Sequence, residues 1–316
     1  MTILIDLLMV TAGLGLLVFA GDALVRGASS MAVRAGIPPM VVGLTVVAFG
    51  TSAPELLVSV EAVLKDASGI ALGNVVGSNI ANIFLVLGVP ALISVIHAGD
   101  GDARRGYLTM IAASLLFIAL CFIGPLVWWH GLILLAGLGL MLADNLRSAR
   151  RHKAGAEPEL EGADPHAPVW KITALIGVGL VGLSLGANLL VDGAVDIARV
   201  FGVSELIIGL TLVAVGTSLP ELATTVAAAF RRNADVALGN VVGSNIFNLL
   251  GIIGVAALVG PLPVPPDLLR VDLWIMLAAA VVLAPVALRG ASLGRGAGLA
   301  LLGAYGAYIV LLVMRG

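Results

Sequence analysis

The sequence predicts an all-α membrane protein of ten transmembrane helices, arranged as two five-helix repeats of opposite orientation. Of the 316 residues, 60% are hydrophobic and 11% are charged, and the mean hydropathy is +1.12. A soluble domain carries about 25% charged residues, so most of this chain must face lipid or other apolar helices. A spanning helix needs about 20 apolar residues, and the length accommodates about ten such helices.

An internal repeat is the second observation behind this fold class. Residues 43–56 read GLTVVAFGTSAPEL and return as GLTLVAVGTSLPEL at 209–222. Residues 71–82 read ALGNVVGSNIAN and return as ALGNVVGSNIFN at 237–248, with the same offset of 166 residues. Eleven of the 16 pairs that start at 43/209 are identical, as are 11 of the 14 that start at 71/237. Shared Pro, Glu, Asn, Thr and Ser at fixed positions indicate a true duplication rather than a compositional coincidence.

Polar breaks delimit the individual spans. The only long polar segment, residues 147–168, mixes charged residues with Pro and Gly and predicts a flexible cytoplasmic linker between repeat 1 (1–146) and repeat 2 (169–316). Residues 261–266 are rich in proline and predict an extended loop. The predicted spans are 3–30, 38–64, 69–96, 105–123, 126–146, 170–199, 204–230, 235–260, 271–288 and 294–314.

Charge asymmetry predicts the orientation. Of the 17 Lys and Arg residues, 13 lie in odd-numbered loops, and positive loops face the cytoplasm. Both termini are therefore expected outside the cytoplasm, in a plasma or inner membrane. Asp6 and the lack of a basic residue before the first apolar run argue against a cleaved signal. The single cysteine, Cys121, excludes an intrachain disulfide.

Five spans per repeat is an odd number, so the second copy enters the membrane from the opposite side. This inverted topology is typical of secondary transporters, whose substrate site lies near the membrane midplane between the repeats. Channels and membrane enzymes also contain repeats, so the topology favours transport without establishing it.

Two glutamates lie deep within predicted spans, Glu55 in the second and Glu221 in the seventh. An ionised group at the bilayer centre costs about 3 kcal/mol or more and normally faces a partner or a water-filled cavity. No Lys or Arg lies in the core of a predicted span to pair with either carboxylate. A protonated glutamate bonded to a neighbouring helix is the alternative, but both copies stand in Gly-Thr-Ser-x-Pro-Glu, which favours a functional role.

A proline precedes each glutamate. Pro54 and Pro220 lack a backbone N–H, and their rings clash with the carbonyl four residues back. The second and seventh spans are therefore expected to break, with free carbonyls around residues 48–51 and 214–217. Broken backbone is tolerated at membrane depth only where it is buried in protein or lines a cavity.

The second repeated segment adds amides and hydroxyls. Ser78 lies four residues before Asn82, and Ser244 four before Asn248, so each pair shares a helix face. Gly-x-x-x-Gly at residues 73–77 and 239–243 permits close helix packing, which would bring these faces towards the glutamates. We expect the third and eighth spans also to be broken around the site.

The resulting inventory of candidate ligands contains only oxygen. Neither motif holds His or Cys, which argues against zinc, copper or iron. Calcium takes six to eight oxygen ligands in flexible geometry, and two carboxylates neutralise one divalent ion. The same oxygens suit sodium, so two kinds of cation competing for one site would give antiport.

The repeated Gly-Thr-Ser-x-Pro-Glu and Gly-Ser-Asn-Ile-x-Asn segments resemble the two α-repeats of the calcium/cation antiporter superfamily, specifically its sodium/calcium exchanger branch. The resemblance covers the whole ten-span layout. It implies electrogenic exchange of Na⁺ for Ca²⁺, three sodium positions and one calcium position between spans 2, 3, 7 and 8, and a sliding gate formed by spans 1 and 6. No cofactor, nucleic acid or protein partner is expected. The implied ion ligands are Glu55, Glu221, Asn82, Asn248, Ser52, Ser218, Ser78, Ser244, Thr51, Thr217, Ala48 and Ala214.

One departure from the family concerns Asn248. Potassium-dependent relatives and some prokaryotic exchangers carry Asp at this position, so Asn in both repeats argues against potassium coupling. The linker is also too short for the regulatory calcium-binding domains of animal exchangers. A Ca²⁺/H⁺ antiporter stays the nearest alternative function, because carboxylates can trade a metal ion for protons. A cation channel and an intramembrane protease are further alternatives.

Overall fold

The computed structural model of the chain describes residues 2–97, 102–152, 163–164, 166–202 and 214–315. Its regular structure is helical, and the two β-contacts in the described part are isolated bridges. The helices are α1 (Thr2–Ala35), α2 (Pro39–Thr51 and Ala53–Leu64), α3 (Ser68–Ile93), α4 (Asp102–Ile123), α5 (Trp128–His152), α6 (Val169–Val200), α7 (Ala214–Thr217 and Leu219–Phe230), α8 (Ala234–Val259), α9 (Leu268–Arg289) and α10 (Arg295–Arg315).

Within the described ranges, eight helices are long and apolar enough to cross a membrane, and the bent α2 makes a ninth. Helix α7 is described only from Ala214, because residues 203–213 lie outside the described part. The all-helical membrane fold is therefore confirmed, while the count of ten spans stays a prediction.

The described helix bounds follow the predicted spans to within a few residues, and the largest differences are that α1 ends at Ala35 and α5 at His152. Helix α5 continues to His152, past the predicted end of the fifth span at residue 146, although its apolar part ends at Arg147. The polar residues beyond 146 include arginines, which are good helix formers, and the helix therefore extends past its apolar stretch. The predicted linker residues 153–162 and 165 lie outside the described part.

Helices α1 and α6 cross in opposite directions at a contact made by small residues. A Cβ on Gly13 would lie 2.7 Å from the carbonyl oxygen of Gly186, and a Cβ on Gly179 would lie 2.7 Å from the Cβ of Leu24. Along α1 the contact moves from Gly13 to Leu24, whereas along α6 it moves back from Gly186 to Gly179. The two helices are therefore antiparallel. Because the backbones approach this closely, no larger side chain fits at these positions.

Helices α2 and α8 meet through the second Gly-x-x-x-Gly motif. A Cβ on Gly243 would lie 2.7 Å from the carbonyl oxygen of Leu44, and one on Gly239 would lie 2.7 Å from a carbonyl oxygen of α2. The predicted close approach is confirmed for this copy of the motif. For the first copy, the repeat predicts contact of Gly73 with Gly209, which lies outside the described residues.

The interruptions near the centre of the molecule are of two kinds. Helix α2 bends by 44° between Thr51 and Ala53, and α7 is interrupted at Ser218, as the prolines predict. Helices α3 and α8 are continuous instead, and each contains a π-helical turn, at Asn82–Val86 and Phe247–Ile252. The expected break in these two helices is therefore wrong. No proline lies within either turn. The hydrogen bonds of a π-helical turn join residues five apart rather than four, so the helix continues through it.

Candidate functional site

Two fully buried carboxylates mark the centre of the site. Glu55 and Glu221 are both 0% exposed, and each lies in the first turn of the helical segment that follows an interruption. Pro54 and Pro220 occupy the start of the same segments, where a helix does not need the missing N–H. Each carboxylate is thereby placed at a helix N-terminus, whose unpaired N–H groups favour negative charge.

Hydroxyl groups join the two repeats at Glu221. The Oγ of Ser52, on the bend of α2, donates to Glu221 Oε1 at 2.9 Å, and the Oγ of Ser244 donates to the same oxygen at 3.4 Å. Thr51 Oγ1 donates to Asn240 Oδ1 at 3.2 Å and lies 3.5 Å from the Ser244 hydroxyl. The structure therefore brings three predicted residues, Thr51, Ser52 and Ser244, together around the carboxylate of Glu221.

Several buried oxygens nearby have no hydrogen-bond partner among the described residues. Both carboxylate oxygens of Glu55 are in this state, as are Glu221 Oε2, Ser218 Oγ, Asn82 Oδ1 and Asn248 Oδ1. Leaving a carboxylate buried without a partner costs several kcal/mol. Carboxylate, amide and hydroxyl oxygens are the ligands that hard cations such as Ca²⁺ prefer. The chemistry of this set therefore fits a cation substrate.

The remaining predicted residues lie on the same elements. Ser78 is buried on α3 one turn before Asn82, whose backbone N–H donates to the Ser78 carbonyl. Thr217 ends the first segment of α7 and is half-buried, and Ala214 begins the described part of that helix.

The main-chain carbonyl of Ala48 is not free, in contrast to the prediction from Pro54. The carbonyl of Ala48 accepts the backbone N–H of Ser52 at 3.1 Å and lies 3.4 Å from the Thr51 hydroxyl oxygen, so the bend of α2 does not release it. The helical bond from Ser52 is retained, and the bend lies between Thr51 and Ala53. In α7 the chain turns more tightly, since the Ser218 N–H donates to Val215, three residues back, at 3.1 Å.

Two asparagines that support the glutamates were not predicted. Asn74 Nδ2 donates to the main-chain carbonyl of Glu55 at 3.3 Å and to Ser59 Oγ at 3.1 Å. Asn240 Nδ2 makes the equivalent bond to the carbonyl of Glu221 at 3.3 Å. Each asparagine thus ties the helix that carries the glutamate to the next helix. The repeat contained the signal, because both residues stand at the same place in the duplicated segment.

Asn79 and Asn245 were also missed, although they stand in the duplicated segment too. Asn82 Nδ2 donates to Asn245 Oδ1 at 3.1 Å, and Asn248 Nδ2 donates to Asn79 Oδ1 at 3.0 Å. These reciprocal bonds join α3 to α8 across the centre of the molecule.

Comparison with known proteins decides the family. The sequence profile of the family described as "Sodium/calcium exchanger protein" matches residues 5–143 and 171–314. The chain belongs to this family. The resemblance drawn from the repeated motifs is thus confirmed, and the exchanger family and its fold are those of transporters.

Full-length relatives agree with this assignment. The chain is 36% identical to inner membrane protein YrbG of Escherichia coli (strain K12), over 95% of this chain and 94% of that protein. It is 32% identical to sodium/calcium exchanger MaX1 of Methanosarcina acetivorans, over 98% and 99% of the two chains. A solved structure of the sodium-calcium exchanger NCX_Mj, soaked with zero Na⁺ and Ca²⁺, superposes with a TM-score of 0.85 at 33% identity, covering 98% of this chain and 99% of that one. The protein is therefore a multi-pass membrane protein with the fold of a cation/Ca²⁺ antiporter.

Proposed function

We propose that this protein exchanges Na⁺ for Ca²⁺ across the cell membrane by alternating access. The observation that carries the proposal is the pair of fully buried carboxylates, Glu55 and Glu221, among oxygens that have no partner in the described part of the chain. Two negative charges match one Ca²⁺, and the same oxygens accept several Na⁺ ions in its place. Binding of one kind of cation then excludes the other, which couples their movements.

The proposed ligands divide by chemistry. Glu55 and Glu221 supply the charge that both cations share. The hydroxyls of Ser52, Ser78, Ser218 and Ser244 complete the sodium positions. The carbonyl or hydroxyl oxygens of Ala48, Thr51, Ala214 and Thr217 and the amide oxygens of Asn82 and Asn248 fill the remaining coordination.

The proposed architecture has ten spans, with repeat 1 over residues 1–146, the linker over 147–168 and repeat 2 over 169–316. The antiparallel contact of α1 with α6 supports the inversion, because a helix and its copy must run in opposite directions in an inverted repeat. We assign α1 and α6 to the gate that alternates access. Their tight packing on each other favours movement as one unit.

Calcium flux in proteoliposomes tests the proposal. Purified protein is reconstituted, and Ca²⁺ uptake is measured against an opposing gradient of Na⁺, K⁺ or protons, imposed one at a time. We expect uptake to require the Na⁺ gradient and to be indifferent to K⁺. Uptake that follows the proton gradient and ignores Na⁺ would establish Ca²⁺/H⁺ antiport instead. Uptake that no opposing gradient accelerates would indicate a channel.

The orientation gives a separate prediction. The excess of Lys and Arg in odd-numbered loops places both termini outside the cytoplasm and the linker inside. A single cysteine introduced by Ala156→Cys in a Cys121→Ser background should react with an impermeant thiol reagent only after the cells are opened. The native Cys121 is 1% exposed, so its replacement by serine removes background labelling. Labelling of position 156 in intact cells would reverse the orientation.

A further inference from the structure

Four asparagines form two reciprocal pairs at the centre of the molecule, and each pair joins one proposed ligand, Asn248 or Asn82, to an asparagine outside the ligand set, Asn79 or Asn245. Asn248 is bonded to Asn79, and Asn82 to Asn245, with Nδ2 to Oδ1 distances of 3.0 and 3.1 Å. All four side chains are buried. In each pair the outer member, Asn79 or Asn245, supplies the oxygen, and the inner member, Asn248 or Asn82, supplies the NH₂ group.

The orientation of the outer amides is fixed by atoms that can only accept hydrogen bonds. Asn79 Nδ2 donates to the main-chain carbonyl of Asn245 at 3.2 Å and to Met276 Sδ at 3.9 Å. Asn245 Nδ2 donates to the main-chain carbonyl of Asn79 at 3.5 Å and to Met110 Sδ at 3.6 Å. Carbonyl and thioether atoms have no proton to donate. Turning either amide over would place its oxygen against two acceptors, so neither amide can reverse.

The fixed orientation of the outer amides also fixes that of the inner amides. Because Asn79 presents Oδ1 to Asn248, the side chain of Asn248 must present Nδ2 in return, and its Oδ1 is left as the free end. The same holds for Asn82 beside Asn245. Both free oxygens are buried and have no partner among the described residues. Without the outer asparagines, each inner amide would have two orientations of similar energy, one of which points the NH₂ group away from its neighbour.

We propose that Asn79 and Asn245 are positioning residues that keep the amide oxygens of Asn82 and Asn248 turned towards the transported cation. This inference rests on the proposed function, since it concerns the polarity of that same site. An amide oxygen attracts a cation and an amide NH₂ group repels it, so one rotation changes a ligand into a source of repulsion. The outer asparagines act through their neighbours and do not themselves touch the ion.

Alanine substitution tests the two asparagine pairs separately. Asn79→Ala frees Asn248 only, because the main-chain carbonyl of residue 79 that anchors Asn245 is retained. Loss of a residue that orients a metal ligand typically costs about 10- to 100-fold in metal affinity. We therefore expect Asn79→Ala to raise the KM for Ca²⁺ in Na⁺-driven flux by about tenfold or more, with a much smaller change in kcat. Asn145→Ala is the matched control, since Asn145 is a buried asparagine of α5 whose Nδ2 has no partner in the described part of the chain.

A double substitution distinguishes positioning from general damage. Asn248→Asp places an oxygen at both ends of the side chain, so its orientation no longer matters to the cation. In the Asn248→Asp background, Asn79→Ala should leave the KM unchanged or lower it, because it also removes the repulsive contact between the introduced carboxylate and the Asn79 oxygen. An equal rise in KM in both backgrounds would overturn the inference, as would a wild-type KM in Asn79→Ala.

Two further readouts complete the test. Absence of Na⁺-driven flux in the wild-type protein would refute the proposed function rather than the positioning role. The Ca²⁺-dependent rise in Tm of the same variants provides a second measure of affinity. A wild-type rise in Asn79→Ala contradicts the inference, and a reduced rise supports it.

Discussion

Replacement of Glu55 or Glu221 by glutamine is expected to abolish Ca²⁺ exchange while the protein stays folded. Each carboxylate is fully buried and supplies half of the charge that faces a divalent ion. Even with an effective dielectric constant of about 20, the loss of one such charge in contact with Ca²⁺ costs several kcal/mol. We therefore expect transport to fall by more than about 100-fold. The fold should survive because glutamine has the same shape and because one uncompensated buried charge has been removed.

The control for this prediction lies on the same helix. Glu61 is exposed and pairs with Lys65 at the surface, so Glu61→Gln should leave Ca²⁺ flux at the wild-type level. The Tm of ion-free protein, measured on monodisperse samples, should be unchanged or higher in Glu55→Gln and Glu221→Gln. If either variant remains folded and exchanges Ca²⁺ at near wild-type rates, that glutamate is not a ligand.

Membrane voltage should alter the exchange strongly. Three Na⁺ ions against the carboxylates of Glu55 and Glu221 leave a net charge of about +1, whereas one Ca²⁺ leaves none, since Asn82 and Asn248 add only dipoles. The three-to-one ratio comes from the family resemblance. One charge crossing a potential of 100 mV changes the free energy by about 2.3 kcal/mol, which is about a 40-fold change in the equilibrium Ca²⁺ ratio. An inside-negative voltage should therefore drive Ca²⁺ out of the cell.

Vesicles clamped with potassium and valinomycin provide the measurement. Na⁺-driven Ca²⁺ flux is recorded at several voltages with fixed ion gradients, and the reversal point gives the charge moved per cycle. Vesicles without protein provide the leak at each voltage. A flux that does not change with voltage would mean two Na⁺ ions per Ca²⁺ and would contradict the predicted movement of one net charge per cycle.

The sequence predicted the parts of the site that depend on unusual chemistry in an apolar environment. Glu55 and Glu221 were identifiable because a carboxylate within a membrane span is energetically costly and is usually functional. The interruptions of α2 and α7 followed from Pro54 and Pro220. The helix bounds followed from polar breaks, which mark the end of an apolar span but not the end of a helix, and α5 therefore runs beyond residue 146 to His152. These are local properties, which a single sequence displays directly.

Properties that depend on which atoms meet could not be predicted. The π-helical turns of α3 and α8, at Asn82–Val86 and Phe247–Ile252, were not predicted from the residues that form them. Nothing in the sequence distinguished Asn79 and Asn245 from the other polar residues in their segment. Their role becomes visible only when two helices, 166 residues apart in sequence, bring four amides into contact.

The reciprocal bonds between α3 and α8 have a consequence for how such a chain could arise. Asn79 meets Asn248 while Asn245, the copy of Asn79, meets Asn82, the copy of Asn248. A surface whose residues exchange partners in this way is self-complementary, as in a two-fold symmetric dimer. In the inverted repeat proposed above, a single half would satisfy its own asparagines by pairing with an identical half inserted upside down. Fusion of two such halves would then secure equal numbers and opposite orientation in one polypeptide, and each half could afterwards diverge, as Glu55 and Glu221 already do in their hydrogen bonds.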